Sequence, residues 1–227
     1  MLIAARNSFL MGGAKTLTAR DYVQDGLNFL WDGIENAGWG THDSTATTWR
    51  NLIRDADHLT LQNGARFDDN SLVSAPRDSV TALLPYRLSY VSIEACVFRD
   101  ASRNSSSLVC FGNDADDNRM LTVEPDGGQF YNGTQIYGAF SGVYKGTWTA
   151  VYTPTAIPYV NGVQISGSTR TNSWSTRSGT FGLSGSSNYS RYNLVGNYYC
   201  VRIYSRALSA AEVAANYAVD RARFNLP

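Results

Sequence analysis

The chain has 227 residues, and its 19 basic and 19 acidic side chains cancel. The basic residues are scattered, which argues against nucleic acid as a partner. No stretch reaches the roughly 20 apolar residues of a membrane span, and two histidines, His42 and His58, are too few for a multi-histidine metal site. Three widely spaced cysteines, Cys96, Cys110 and Cys200, give neither a zinc pattern nor a disulfide framework. Cys96 and Cys200 sit in apolar strand patterns and read as buried free thiols. Abundant glycine and tyrosine with only four glutamates point to a turn-rich β protein.

Taken in order, residues 1–20 read as an N-terminal arm broken by Met11-Gly12-Gly13, with too short an apolar run for a secretory signal. Residues 21–227 show no linker or charge run and read as one domain. Residues 25–32 (DGLNFLWD) form the first strand. A long loop follows, carrying Gly33, Gly38, Gly40, Trp39 and Trp49. Residues 59–61 and 65–67 flank Asn63-Gly64 as a hairpin, and a strand at 79–84 ends at Pro85. Residues 88–98 make the longest alternating strand, with 105–111 returning antiparallel to it. An acidic turn precedes a meander at 120–123, 129–131 and 135–140, with a further Asn-Gly turn at Asn132-Gly133.

The segment 147–165 is the clearest β signal. Trp148, Ala150 and Tyr152 alternate with Thr147, Thr149 and Val151, and Asn161-Gly162 closes another hairpin between 157–160 and 163–165. Residues 166–179 are a loop, 180–183 a short strand, 184–193 a polar loop and 198–204 a strong strand. One helix is expected. Ser209 and Glu212 form a capping box and Leu208 with Val213 a hydrophobic staple, and the helix runs to about Arg221 with Val213, Tyr217 and the alanines as its apolar stripe. The fold class is therefore all-β, a two-sheet antiparallel jelly-roll sandwich with one C-terminal α-helix.

Three segments in order, SIEACV (92–97), WTAVYTPTAIPYVNG (148–162) and VRIYSRALSAAEV (201–213), resemble the laminin-G-like jelly rolls of the concanavalin A-like lectin/glucanase superfamily. ARFDDNSLV resembles that family's Phe-Asp strand end in shortened form, and the opening third resembles a segment of laminin-G-like proteins of gut bacteria and their phages. The resemblance implies a non-catalytic carbohydrate- or surface-binding module for adhesion or decoration, on a virion or at the cell surface. Its expected partners are a cell-surface glycan, other virion proteins through residues 1–20, or further copies of the chain. Two alternatives stand beside it, a purely structural assembly protein and a glycoside hydrolase.

The resemblance also implies that laminarinase-type hydrolases of this fold would show two glutamates around an aspartate on one strand, one to attack and one to donate a proton. Glu35, Glu94, Glu124 and Glu212 show no such spacing, and Glu212 is taken by the helix cap. For sugar binding, exposed aromatics beside hydrogen-bonding groups are needed. Trp39 with His42 and Asp43, and Tyr189 with Arg191 and Tyr192, are the candidates. No cofactor is required, but Asp114, Asp116 and Asp117 share one turn and could supply oxygen ligands to calcium.

Overall fold

The computed structural model describes residues 16–74, 81–88, 92–100, 106–112, 117–124, 127–130, 134–137, 143–152, 156–165, 168–169, 179–184 and 194–227. The strands are β1 (Leu27–Asp32), β2 (Thr48–Trp49), β3 (Leu59–Leu61), β4 (Arg66–Phe67), β5 (Leu72–Val73) and β6 (Ala82–Leu88). Then come β7 (Ser92–Arg99), β8 (Ser106–Gly112), β9 (Asp117–Glu124), β10 (Gly127–Phe130) and β11 (Thr134–Tyr137). The last six are β12 (Lys145–Tyr152), β13 (Ala156–Val160), β14 (Val163–Gln164), β15 (Ser168–Thr169), β16 (Gly179–Leu183) and β17 (Gly196–Tyr204). Helix α1 spans Ala210–Phe224.

Two antiparallel sheets pack face to face. One runs β14-β13-β12-β7-β17-β5-β4, with β1 beside the C-terminal half of β17, and the other runs β15-β11-β10-β9-β8-β16-β6-β3-β2. The sandwich with one C-terminal helix is the architecture expected from the sequence. The inter-sheet core includes Trp31, Trp49, Trp148, Phe181 and Val201. Phe29, Trp31 and Phe181 stack in sequence at 5.4 and 5.3 Å between ring centroids. Tyr198 on β17 donates its hydroxyl to the Leu108 carbonyl on β8 (2.8 Å) and accepts from Ser184 (2.9 Å), so a hydrogen bond joins the sheets inside the core.

Several local expectations change in three dimensions. Residues 88–98 are not one strand, because β6 ends at Leu88 and β7 starts at Ser92 in the opposite sheet. Pro85 lies within β6, where the pairing with β16 slips between Thr180 and Gly182; a proline without an N–H is tolerated at such a bulge. Strand β8 pairs with β9 and β16 rather than returning along β7. Asn63 and Gly64 do adopt positive φ, and Ala65 N donates to Gln62 O (2.9 Å), but the flanking strands part into different sheets. That turn is a corner between the sheets, not a hairpin.

Asn161-Gly162 is the expected two-residue hairpin, with φ of 52° and 76° and Val160 opposite Val163. It also has a packing role. Asn161 Oδ1 accepts from Thr147 N (3.0 Å), and a Cβ at Gly162 would come within 3.1 Å of Ala214 Cα on the helix.

The central strands of the eight-stranded sheet are buried on both faces. Its outer face lies under α1 and residues 17–27, in a second cluster including Tyr22, Leu30, Cys96, Cys200, Val213 and Phe224. Cys96 and Cys200 are free and buried, as expected. Bulges set this face. The register shifts between Leu27 and Phe29 on β1, and between Tyr198 and Cys200 on β17.

The helix begins at the predicted capping box, with Ser209 Oγ accepting from Glu212 N and Glu212 Oε2 accepting from Ser209 N (2.8 Å). It continues to Phe224, three residues past the expected end, and Asn225 closes it in the left-handed region. Its buried stripe differs from the expected one. Val213, Asn216, Val219, Asp220 and Phe224 face the sheet, while Ala214, Ala215 and Ala218 are exposed.

Asn216 and Asp220 face inward because the sheet presents charge to them. Glu94 and Arg202 are directly paired across β7 and β17, both fully buried. Arg202 Nε donates to Glu94 (2.8 Å), and its two Nη groups donate to the two Asp220 oxygens at 2.6 Å each. Tyr22 donates to Asp220 (2.7 Å), and its ring lies 4.1 Å from the Arg202 guanidinium. Thr147 completes Asp220, while Thr149 and Asn216 complete Glu94. Every charged oxygen thus has a donor, the condition under which burying such a group is tolerable.

Arg202→Met leaves two carboxylates without their counter-charge and is expected to lower stability by about 3–5 kcal/mol, read from urea unfolding. Replacing Glu94, Arg202 and Asp220 together with apolar residues should recover much of that loss. A second outcome concerns acid. The Arg206 guanidinium, together with the Ser209 amide, pulls the Glu212 carboxyl down to about 2 from its ordinary 4.5. A group lowered on folding stabilises above its unfolded value and loses that contribution as pH falls through the folded one. Glu212→Gln should therefore cost about 1 kcal/mol at neutral pH, and the melting difference from wild type should close between pH 4.5 and 2.

Candidate functional site

The loop after β1 is organised by one carboxylate. Asp32 Oδ1 accepts from Ile34 N and Glu35 N, turning the chain out of the strand. Glu35 then joins three segments. Its Oε1 accepts from Ala19 N (3.1 Å) and from Arg223 Nη2 of α1 (3.1 Å), and its Oε2 accepts from Gly40 N (2.9 Å). Arg223 also bonds both Asp32 oxygens and the Tyr22 hydroxyl. Burial raises the Asp32 carboxyl despite this guanidinium, and the same effect raises Glu94. Two arginines, Arg202 and Arg223, thus serve four acids, Glu94, Asp220, Asp32 and Glu35. Residues 18–20, expected in the arm, are packed into this assembly, with Ala19 fully buried after the Thr18 cap.

Two clefts flank the loop. The larger, about 700 Å³, is lined by Thr16, Thr18, Glu35, Gly40, His42 and Arg223 among others. The smaller, about 310 Å³, is lined by Gly38, Trp39, Asn51, Arg54, Asp55 and neighbours. Trp39 and His42, expected together, therefore face different clefts. Trp39 is half-buried, and the Arg20 guanidinium lies 4.0 Å from its ring centroid, which occupies one face. His42 is exposed, and Nδ1 lies 3.1 Å from the Gly33 carbonyl. Because a carbonyl only accepts, Nδ1 is the donor in this bond. Asp43 lines neither cleft. Its Oδ1 accepts from Thr45 N and Oγ1, and these bonds hold its carboxyl below the usual range.

The small cleft has features the sequence did not single out. Asn51 is buried, its Oδ1 accepts from Leu30 N and Ile53 N, and its Nδ2 has no hydrogen-bond partner. Arg50 pairs with Asp55 (3.0 Å) at the rim, and Asp55 lies 3.4 Å from His58 Nε2. No spacing motif connects Trp39 to residues 50–55; the turn that folds 33–47 back on β1 brings them together.

Tyr189, Arg191 and Tyr192 lie outside the described residues, as do Asp114 and Asp116; Asp117 opens β9, and its side chain is likewise undescribed. Among the described residues no group of three or more potential ligands could hold a metal ion, and no helix is long and apolar enough to cross a membrane.

Comparison with known proteins places this architecture. No curated protein matches the chain by sequence. Among solved structures, the sialidase of Trypanosoma rangeli superposes with a TM-score of 0.63 at 15% identity, over 86% of this chain and 33% of that one. The same enzyme in complex with sialic acid gives 0.58 at 17% identity, over 92% and 34%. The chain thus spans about a third of the length of these sialidases, and the likeness is one of fold. A family model described as the concanavalin A-like lectin/glucanases superfamily matches residues 86–214, from the β6 bulge through the start of α1. With more than half of its length matched, the chain belongs to the concanavalin A-like lectin/glucanase superfamily.

Proposed function

We propose that this domain is a non-catalytic carbohydrate-binding module whose ligand enters the small cleft beside Trp39. The observation that carries this reading is the composition of that cleft. One wall is an indole ring whose other face is fixed by Arg20, and the floor holds Asn51, with an amide group lacking a partner. A sugar offers an apolar C–H face to the ring and hydroxyls to Arg54 and Asp55 at the rim, while the unpartnered Asn51 amide lies just beneath the lining and needs a small side-chain shift to take part. Arg20 keeps the ring from rotating, so little side-chain freedom is lost on binding.

The carboxylates support binding over hydrolysis. Glu94 is sealed under α1, and Glu35 holds three segments with both of its oxygens. Glycosidic cleavage needs one carboxyl free to donate a proton and another free to attack or to activate water. The setting, adhesion or decoration at a cell or virion surface, belongs to the same proposal and draws on the resemblance of the opening third of the chain.

A glycan array probed with wild type and with Trp39→Ala tests the reading. Retention of a defined glycan set without release of reducing sugar is expected, with affinity at least about tenfold weaker in the variant. Equal binding by both proteins, or none by wild type, removes the cleft from consideration. Glu35→Gln takes away one of the charges that anchor loop, arm and helix. It should lower stability by about 1–3 kcal/mol and weaken glycan retention along with it, measured by thermal melting and titration on the same preparation.

A further inference from the structure

At the C-terminal end of β7, the inner face of the sandwich ends in a further buried cation. Ile93, Ala95 and Val97 point into the inter-sheet core, and the alternation carries Arg99 to the same side. Arg99 is fully buried. Its Nε donates to the Val143 carbonyl at 3.4 Å, and both Nη groups lack a hydrogen-bond partner. This contrasts with Arg202 and Arg223, which are ion-paired. A guanidinium taken out of water with its fork unused is among the least favourable arrangements a fold can hold. Burial also lowers its proton affinity, in keeping with an unpaired charge.

The position is fixed by backbone. Arg99 N donates to Tyr144 O (2.7 Å), and Gly196 is paired opposite Arg99 on β17. A Cβ at Gly196 would overlap the Phe98 carbonyl and stand 3.1 Å from Arg99 Cα, so β17 can lie this close only with glycine there. Tyr144 supplies the other half of the arrangement. Its ring centroid is 5.1 Å from the Arg99 guanidinium, and the residue is 39% exposed. An aromatic ring open to solvent on one side and touching an unpaired guanidinium on the other suits a ligand that joins an apolar face to a planar anion. A carboxylate meets the Arg fork with two parallel hydrogen bonds. Both Nη groups are closed off from solvent, so a ligand needs a side-chain movement to reach them, and Tyr144 is the exposed neighbour in contact with the guanidinium.

We propose that Arg99 and Tyr144 form a binding site for a carboxylate-bearing saccharide, separate from the Trp39 cleft; the saccharide part of this assignment rests on the carbohydrate-binding reading above. The carboxylate docks on the two Nη groups of Arg99, and the sugar ring lies against Tyr144.

Titration of the full chain with sialyllactose, glucuronate and lactose, in wild type, Arg99→Met and Tyr144→Ala, tests it. Sialyllactose and lactose differ only by the acidic sugar. The acidic ligands are expected to bind wild type, with lactose weaker, and Arg99→Met should lose about tenfold to a hundredfold in affinity for them. Tyr144→Ala, a change at an exposed residue, should weaken the same ligands several-fold. Without ligand, Arg99→Met should melt at or above the wild-type temperature, because it replaces an unpaired buried charge with an apolar chain of similar length. A fall of more than about 5 °C, or failure to fold, would show that the guanidinium has a partner within the chain and would overturn the proposal. Acidic sugars bound equally by wild type and Arg99→Met also overturn it, while leaving the Trp39 cleft intact. Glucuronate binding that depends on Arg99, with no retention of neutral glycans, supports this site and removes the other. Absence of binding by every saccharide removes both.

Discussion

The pairing of Arg202 with Glu94 and Asp220 is the constraint from which the rest of the outer face follows. A sheet with a polar outer face needs no cover, and an apolar one can be covered by any amphipathic helix. Here the central strands place a carboxylate and a guanidinium side by side, so the cover must bring one more acid at the right height. Helix α1 does so with Asp220, four residues after Asn216, which donates to the Glu94 oxygen that Arg202 also bonds. The cost of leaving any one of these groups unpaired in the interior specifies the seating of the helix.

The same logic extends outward by one turn. Arg223 on α1 reaches Asp32 at the end of β1 and Glu35 in the loop beyond it. Glu35 in turn holds the Ala19 and Gly40 amides. A chain of charge-assisted bonds therefore leads from the buried sheet to the rim of both clefts. The Trp39 loop is irregular in backbone, yet its position is tied to the helix at one end and to β1 at the other. That is a favourable basis for recognition, because a loop held in place loses little freedom when a ligand arrives.

The two faces of the eight-stranded sheet use arginine in opposite ways. Arg202 and Arg223 are spent on the fold, each with carboxylates in direct contact. Arg99 occupies an equally buried place with its Nη groups unpartnered, beside an aromatic ring half open to water. The fold family tolerates wide variation of its loops over a constant pair of sheets, so sites at strand ends and in loops can differ while the core persists.

Much of the fold was legible in the sequence. The alternation of residues 147–152, the Asn161-Gly162 turn and the Ser209–Glu212 cap are short-range signals, decided by side-chain period and backbone sterics, and all three occur as read. Trp39 was legible as a candidate because a large aromatic in a glycine-rich loop is conspicuous. What the sequence could not decide was pairing. Asn63-Gly64 forms its turn, but which sheet receives the next strand depends on partners far along the chain. The division of Trp39 and His42 between two clefts depends on where α1 and residues 50–55 come to rest. Glu94 and Arg202 offered a signal, opposite charges at central positions of two apolar strands, but its meaning appears only when β7 lies beside β17. Local geometry is set by nearest neighbours and is written in the residues themselves. The cost of a buried charge is set by what stands opposite it, and only the tertiary structure brings Asp220 to Arg202 and leaves Arg99 with its fork unused.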